Sequence, residues 1–472
     1  MPEGRADRCT QYRALFRLEN TVLWEEDMLK DHSLLSTVLR NAVQYAAVAA
    51  VVLALLSVGH AAWAGGGPGG NEGADDRGAV RLLTTVPIPG TAANTTNGKL
   101  YSFDISFVDP STQTYYLADR SNAVVDVVDA NTGTFDRQIS GGFKGVAVVS
   151  GVVQSGQSGP NAVVAAFPWL FVTDAPSRVV SIDLRTDTVV SSVSTGGADN
   201  LRADELAYDP QDGLLLVINA NDSPRFGTLI TVNQANGHLT VGTKIPLPFA
   251  TNGAEQPVWD PGTGKFYLSI PEINGDGTNL HGAVLRISTA GKVEAMYPVD
   301  RCGPAGLTLG PGEELLVGCN TVFDTAGNLW NPTGTVTAAP KDVILDVETG
   351  ITMDVPGVGA GDEVWYNAGD NKYYATGSGS PLRPTLAAAA QGASVLGVID
   401  AADQTLLQLV PTFNVPAVGT GNNPTEHPAG TAHSVAANAD NNYVFVALAA
   451  NNVFPNCLTG CIAVFLRPPK VE

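Results

Sequence analysis

Charged side chains recur at the first position of a seven-residue motif that is repeated along the chain. Clear copies are Asp104-Ile-Ser-Phe-Val-Asp-Pro110, Asp204-Glu-Leu-Ala-Tyr-Asp-Pro210 and Glu255-Gln-Pro-Val-Trp-Asp-Pro261. The first residues of the seven copies are Asp104, Lys144, Asp204, Glu255, Ala305, Asp362 and His433. Carboxylate, amine and imidazole groups can transfer protons or bind a cation once a fold brings them together.

Carboxylates gathered in one place repel one another unless a cation or a lysine compensates their charge. Because hard oxygen ligands suit Ca²⁺, we predict a divalent-cation site at these positions. The predicted metal ligands are Glu255, Asp362, Asp204 and Asp104. The predicted catalytic residues are His433, Asp204 and Lys144. His433 would be a general base or a further ligand, and Lys144 would chiefly neutralise its neighbours. The alternative is a wet channel in which the acidic side chains are simply solvated.

Each motif is followed by a second apolar segment, a polar turn and further short strands, with a period of roughly 50 residues. The 51 glycines and 30 prolines are spread through a Val- and Leu-rich chain, which favours many short strands. Charged residues make up 15%, too few for a coiled coil or a disordered acidic chain. One such sheet cannot bury both faces, whereas sheets stacked radially can. The prediction is an all-β fold, a seven-bladed β-propeller, rather than a pair of β-sandwiches.

The segment Ala79-Val-Arg-Leu-Leu-Thr-Thr-Val86 has strand character but lacks the rest of a repeat, and the last repeat, which ends near Phe465, lacks an outer strand. We predict that the N-terminal strand completes that last blade, because ring closure removes an exposed sheet edge. The propeller would then occupy residues 79–472 as a single domain. The first strand of each blade would line the central channel, so the seven first residues should meet at one channel mouth.

Two resemblances to known families rest on these repeats. The turns Val127-Val-Asp-Ala-Asn-Thr-Gly-Thr-Phe135 and Asp183-Leu-Arg-Thr-Asp-Thr-Val-Val190 resemble YVTN-type repeats of seven-bladed propellers, over nearly all of residues 79–468. The Glu255 motif is similar to the E-G-P-V-W-D-P opening of the gluconolactonase/senescence-marker-protein family. That second resemblance implies a metal held by a Glu, an Asp and Asn residues. Glu255 and Asp362 match the Glu and the Asp, whereas Asp204 and Ala305 stand where the family has Asn.

Two functions are compatible with these features. The first is an exported, divalent-cation-dependent hydrolase, lactonase-like, in which the cation polarises the carbonyl of a small molecule at the channel mouth. The alternative is a non-catalytic propeller of the cell envelope that binds a ligand or a protein partner. The net charge of −20 argues against a nucleic-acid partner, whose phosphates require clustered Lys and Arg. The chain contains no G-x-S-x-G nucleophile motif and no dinucleotide-binding fingerprint.

The first 64 residues have the features of an export signal. Arg40 precedes an apolar run over residues 46–58, and Ala62-Trp63-Ala64 supplies small residues at positions −3 and −1 of a cleavage site. Residues 65–78 are a flexible, Gly-rich linker. We predict a periplasmic or secreted protein with no stable membrane span after cleavage. A retained anchor is the alternative, because residues 45–64 are long enough to cross a bilayer. Met28 is an alternative start.

Four cysteines follow the predicted signal: Cys302, Cys319, Cys457 and Cys461. An even number in an exported chain predicts two disulfides, with the local pairs Cys302–Cys319 and Cys457–Cys461. Zinc is the alternative, but two cysteines separated by three residues and two distant ones are poor metal spacing.

Overall fold

The chain folds into seven four-stranded antiparallel sheets, which form the blades of a seven-bladed β-propeller. The computed structural model describes residues 78–330, 340–359, 361–377, 394–413, 415–419 and 426–467. The predicted signal peptide (residues 1–64) and nearly all of the linker (residues 65–78) lie outside the described residues, so both stay predictions. Within the described ranges, no helix has the length and apolar character needed to cross a bilayer.

The strands of each blade are numbered in chain order and given from the channel outwards. Blade 1 contains β2 (Ser106–Asp109), β3 (Thr114–Asp119), β4 (Val124–Asp129) and β5 (Thr134–Ile139). Blade 2 contains β8 (Val163–Ala166), β9 (Trp169–Asp174), β10 (Arg178–Asp183) and β11 (Thr188–Ser194). Blade 3 contains β12 (Leu206–Asp209), β13 (Leu214–Asn219), β14 (Arg225–Val232) and β15 (Leu239–Leu247). Blade 4 contains β16 (Pro257–Asp260), β17 (Lys265–Ile270), β18 (His281–Ser288) and β19 (Val293–Asp300).

The remaining blades follow the same order. Blade 5 contains β20 (Cys302–Leu309), β21 (Glu314–Val322), β22 (Lys341–Asp346) and β23 (Thr352–Pro356). Blade 6 contains β24 (Gly361–Asn367), β25 (Lys372–Gly377), β26 (Val395–Asp400) and β27 (Thr405–Pro411). Blade 7 contains β28 (Val435–Asn438), β29 (Tyr443–Leu448), β30 (Cys461–Leu466) and β1 (Arg81–Pro87). A short hairpin, β6 (Val148–Val149) and β7 (Val152–Val153), and a 3-10 helix (Ser155–Gln157) precede blade 2.

The ring is closed by the N-terminal strand, as the sequence predicted. Strand β1 pairs antiparallel with β30 and is the outermost strand of blade 7, with Val86 opposite Ile462. The inner strands contact one another around the channel, and β28 of the last blade contacts β2 of the first. The two ends of the described chain therefore meet in one sheet, and β1 covers the edge that β30 would otherwise expose.

A buried aspartate at the end of the inner strand fixes the turn to the second strand. Asp109 Oδ1 accepts a hydrogen bond from the Ser111 amide at 2.9 Å, and Asp209 accepts one from the Gln211 amide at 2.8 Å. Asp260 holds the Gly262 amide in the same way at 2.8 Å. An aspartate that bonds the amide two residues on stabilises a tight turn. This local contact explains why the Asp-Pro and Asp-Gly pattern marks the blades so clearly.

The core lies between the blades. In blade 3, Leu215, Leu216, Val217 and Ile218 of β13 are all fully buried, because both faces of the sheet pack against neighbouring blades. The outer strand β15 has mostly exposed residues along its length. Apolar burial on both faces provides the driving force that holds the sheets in a ring.

The inner strand of blade 2 differs from the one that the sequence predicted. Residues 144–149 are not its inner strand, which is β8, and the residue equivalent to Asp104 is Asn161. The amide of Asn161 bonds the Thr173 carbonyl at 2.9 Å, as the amide of Asp104 bonds the Ala118 carbonyl. Lys144 begins an insertion closed by a Gly145–Gly159 bridge, and its side chain is exposed. The prediction that Lys144 begins an inner strand is therefore wrong.

Both predicted disulfides are present. Cys302 and Cys319 join β20 to β21 with their Cα atoms 5.2 Å apart. Cys457 and Cys461 close a short loop with a Cα separation of 5.0 Å. All four cysteines are fully buried. Disulfides of this kind are typical of proteins that fold in an oxidising compartment.

Candidate functional site at the polar channel mouth

Most of the residues that begin the seven sequence motifs come together on one face of the ring. We define the polar mouth as the following group of side chains: Asp104, Arg120, Arg202, Asp204, Glu255, Asp362 and His433. Asp104, Asp204 and His433 are linked through direct contacts. Glu255 and Asp362 lie close enough to one another and to Asp204 for their charges to interact. Five of the seven predicted positions therefore converge.

Asp104 is the centre of this group. Its carboxylate contacts the guanidinium of Arg120, which is buried and follows directly after β3. It also lies 3.2 Å from Nη1 of Arg202 and 3.2 Å from Nε2 of His433. Three basic groups from different parts of the ring thus surround one carboxylate, and charge-assisted hydrogen bonds of this kind are the stronger ones.

Arg202 connects blade 3 to the insertion that precedes blade 2. Its Nη2 lies 2.6 Å from Oδ2 of Asp204, and its backbone amide donates to the Gly156 carbonyl at 3.0 Å. Asn221, from the loop after β13, accepts a hydrogen bond from Nε of Arg202 at 3.2 Å. The insertion at residues 144–160 therefore helps to place the arginine that pairs with both aspartates.

Glu255 and Asp362 occupy a different environment, because both are half-buried and neither has an ion pair with a basic group among the described residues. Burial raises the pKa of Glu255 to about 8, and the carboxylates of Asp204 and Asp362 add to this increase. Glu255 therefore carries a proton at neutral pH in the free protein. Glu255 and Asp362 are thus carboxyl groups of the polar mouth that solvent reaches.

The basic groups are perturbed in the opposite direction. Burial lowers the pKa of Arg120 to about 9, and the nearby charge of Arg202 contributes to the decrease. Burial also lowers the pKa of His433, while Asp362 opposes that change. The imidazole is therefore neutral at pH 7, with Nδ1 3.1 Å from Oγ1 of Thr431 and its ring 5.4 Å from that of Phe103.

Two predicted positions do not contribute a side chain to the polar mouth. Lys144 is exposed on the insertion, and only its backbone amide bonds Asp174, at 3.1 Å. Ala305 is buried within β20 and offers its carbonyl to the Gln256 amide at 3.3 Å. The charge that the sequence assigned to Lys144 comes instead from Arg120 and Arg202.

The two arginines and Asn161 were missed by sequence reasoning. Arg120 directly follows Asp119 at the end of a second strand, and Arg202 stands two residues before Asp204. The repeat places both of these segments on the face of the polar mouth. Their closeness in sequence to Asp119 and Asp204 was therefore the signal that could have identified the two arginines. The Nε atom of Arg120 donates to Oδ1 of Asn161 at 3.0 Å, which joins blade 1 to blade 2.

Two of the four predicted metal ligands already have basic partners. Guanidinium groups already contact Asp104 and Asp204, and these contacts satisfy the charge that a cation would otherwise balance. Among the residues the structure describes, no group of three or more His, Cys, Asp or Glu is placed to hold a metal ion. Calcium binding therefore stays a prediction, as do the catalytic roles of His433, Asp204 and Lys144.

Chemically, the polar mouth combines a buried ionic floor with a half-exposed rim. The floor is made by the Asp104–Arg120 and Asp204–Arg202 pairs, and the rim by Glu255, Asp362 and His433. Rim groups can both donate and accept hydrogen bonds, since the carboxyl of Glu255 is protonated and carboxyl oxygens accept.

Comparisons with known proteins support the fold alone. One chain of a structure titled "Kuenenia stuttgartiensis Hydrazine Synthase" aligns with a TM-score of 0.55 and 13% sequence identity, covering 81% of this chain and 99% of that one. A chain from a structure titled "Crystal Structure of Mitotic Checkpoint Complex" aligns with a TM-score of 0.49 and 11% identity, covering 86% and 98%. No family model matches the sequence, and no curated protein matches it either. The likeness to the first of these chains concerns the fold alone and agrees with the β-propeller described above.

Proposed function

We propose that the protein is an exported, non-catalytic β-propeller that binds a small, hydroxyl-rich molecule at its polar mouth. The observation that carries this proposal is the pairing of Asp104 and Asp204 with Arg120 and Arg202. A buried carboxylate that is already paired with an arginine is a poor ligand for a metal and a poor base. It does make a rigid, polar floor on which a ligand can be oriented.

The rim supports the choice of ligand. Asp362 and Glu255 present carboxyl oxygens to solvent, and a hydroxyl group both donates and accepts hydrogen bonds. A sugar-like molecule could therefore bond several rim groups at once. The two buried disulfides support export, because thiols in the cytosol are usually kept reduced.

A lactonase-like hydrolase is the second candidate, and one observation favours it. Glu255, with its pKa raised to about 8, lies near the carboxylate of Asp362. Two neighbouring carboxyl groups, one of them with a raised pKa, can divide the roles of general acid and general base. This candidate requires turnover, whereas binding does not.

One experiment separates the two candidates. Melting temperature is measured with D-glucose, D-gluconate and δ-gluconolactone, each with and without calcium, and hydrolysis of the lactone is followed in parallel. Binding predicts a ligand-dependent increase in melting temperature and no hydrolysis. Asp362→Asn should abolish the increase, whereas Asp212→Asn, at an exposed turn of blade 3, should preserve it. Calcium-dependent hydrolysis that is lost in Glu255→Gln would establish the hydrolase instead. Failure of all three compounds to bind would contradict the proposed ligand class.

A further inference from the structure

A second concave site lies in the central channel, away from the polar mouth. It is a cavity of about 410 Å³ between the inner strands of blades 1 to 6. Its lining reaches Pro210, in the turn at the end of β12, and includes none of the polar-mouth residues. The cavity therefore opens towards the opposite face of the ring.

The lining is mainly apolar, with aromatic side chains from four blades. Phe107, Tyr208, Trp259, Trp365 and Tyr366 all line the cavity, and each is half-buried. Phe107 and Trp365 meet edge to face, with their ring centroids 5.6 Å apart. A cavity of this volume and character suits a small organic molecule.

One buried carboxyl group also lines the cavity. Glu205 is 7% exposed, and its Oε2 has no hydrogen-bond partner within the described part of the chain. A buried carboxyl oxygen without a partner is costly, so it requires an explanation.

The neighbouring blades show why Glu205 lacks a partner. Gln256, at the equivalent position of blade 4, accepts a hydrogen bond from the Leu307 amide of the next blade at 2.7 Å. Glu363, in blade 6, accepts one from the Val435 amide of the next blade at 2.7 Å. For Glu205, the equivalent residue of the next blade is Pro257. A proline has no amide hydrogen, so it cannot donate the bond that Leu307 and Val435 donate.

We propose that this cavity binds an organic cation, an amine that carries an apolar or aromatic group, with its ammonium at Glu205 and its apolar part among the aromatic side chains. Aromatic faces attract a cation through their quadrupole, and a desolvated site strengthens that attraction. The carboxyl groups of Asp204 and Asp362 lie near enough to act on Glu205, and so does the buried guanidinium of Arg120, so the charge that would attract the ammonium is that of the Glu205 carboxylate itself.

Proton release should accompany binding. Burial raises the pKa of Glu205 well above its usual range, and the neighbouring carboxylates raise it further. In the free protein this carboxyl therefore holds its proton more tightly than an ordinary glutamate does. An ammonium group beside it favours the carboxylate, so the ligand should displace that proton to solvent.

Titration calorimetry with benzylammonium and with benzyl alcohol, a neutral molecule of similar size, tests the proposal. We expect benzylammonium to bind at least about tenfold more tightly. The heat of binding should differ between phosphate and Tris buffers by an amount that reports proton release. Equal affinities for the two compounds, or no binding of benzylammonium, would overturn the proposal whether or not any variant folds.

Two substitutions locate the site. Glu205→Gln should remove the preference for benzylammonium and leave the affinity for benzyl alcohol within about twofold. Glu294→Gln, which makes the same change on the outer strand of blade 4, should leave both affinities unchanged. A preference that survives in Glu205→Gln would show that the cation binds elsewhere. These outcomes do not depend on whether the polar mouth binds a sugar.

Discussion

Nε2 of His433 lies 3.2 Å from Oδ1 of Asp104, so the last blade contacts the first through an imidazole and a carboxylate. The same carboxylate contacts Arg120 of blade 1 and Arg202, which precedes blade 3. One buried aspartate therefore joins three parts of the ring that are far apart in the chain. Its loss should affect the stability of the whole propeller.

Asp104→Asn should lower the free energy of unfolding by about 3–5 kcal/mol, because Arg120 would stay buried without its charge partner. Urea unfolding followed by tryptophan fluorescence measures this change. Asp136→Asn is the matched control: its carboxylate pairs with Arg137 at the surface, and the cost should be under about 1 kcal/mol. Equal costs for the two substitutions would show that the buried network does not stabilise the fold.

Stability should decrease as the pH rises above about 4, because several buried carboxyl groups are protonated in the folded state. Burial raises the pKa of Asp342 to about 7 and that of Glu363 to about 8. Between the unfolded and folded pKa values the folded protein binds more protons than the unfolded chain, so the free energy of unfolding falls as the pH increases. The melting temperature should therefore be higher at pH 5 than at pH 8.5.

Asp342→Asn should reduce this pH dependence between about pH 4 and pH 7, since the amide does not ionise. Asp212→Asn, at an exposed turn of blade 3, removes a carboxylate that has no ion pair among the described residues, and it should retain the wild-type slope. Thermal unfolding at a series of pH values provides the comparison. A slope that does not change in Asp342→Asn would mean that this carboxyl is ionised in the folded protein.

The N-terminal strand should contribute to stability through the face that it buries against blade 7. Val86→Ala should cost about 2 kcal/mol, because Val86 is 3% exposed and packs in the core between blades 7 and 1. Leu83→Ala, three residues earlier in the same strand, should cost under about 0.5 kcal/mol, because Leu83 is 46% exposed. Chemical unfolding of both variants decides whether β1 is an integral strand. A small effect of both substitutions would indicate that the ring is held closed without it.

The blades could be predicted because their signals are local. An aspartate such as Asp109 or Asp260 bonds an amide two residues away, so the turn appears in the sequence as a fixed pattern. The inner strand of blade 2 was predicted wrongly, because an insertion that begins at Lys144 separates blade 1 from that strand. In most blades the second strand begins ten residues after the first residue of the motif, as from Asp204 to Leu214, whereas Trp169 follows Lys144 by 25.

The polar mouth could be predicted only in part, because its partners are set by ring closure. Arg202 contacts Asp104 across 98 residues of sequence, and no local sequence pattern predicts an ion pair of this kind. The same limit applies to Glu205, whose missing partner depends on the register that places Pro257 in the neighbouring blade. Sequence spacing located the acidic side chains, whereas their ion pairs and protonation states depend on the packed ring.

The two disulfides should contribute unequally, because they close loops of different length. Cys302 and Cys319 are separated by 17 residues, and Cys457 and Cys461 by 4. A cross-link restricts the unfolded chain more when the loop is longer, so Cys302→Ala with Cys319→Ala should cost about 3 kcal/mol and the other pair about 2 kcal/mol. Urea unfolding of the two double variants, with and without reducing agent, measures both. Reduction should affect each variant only through its remaining disulfide, and a larger cost for the 457–461 pair would contradict the loop-length argument.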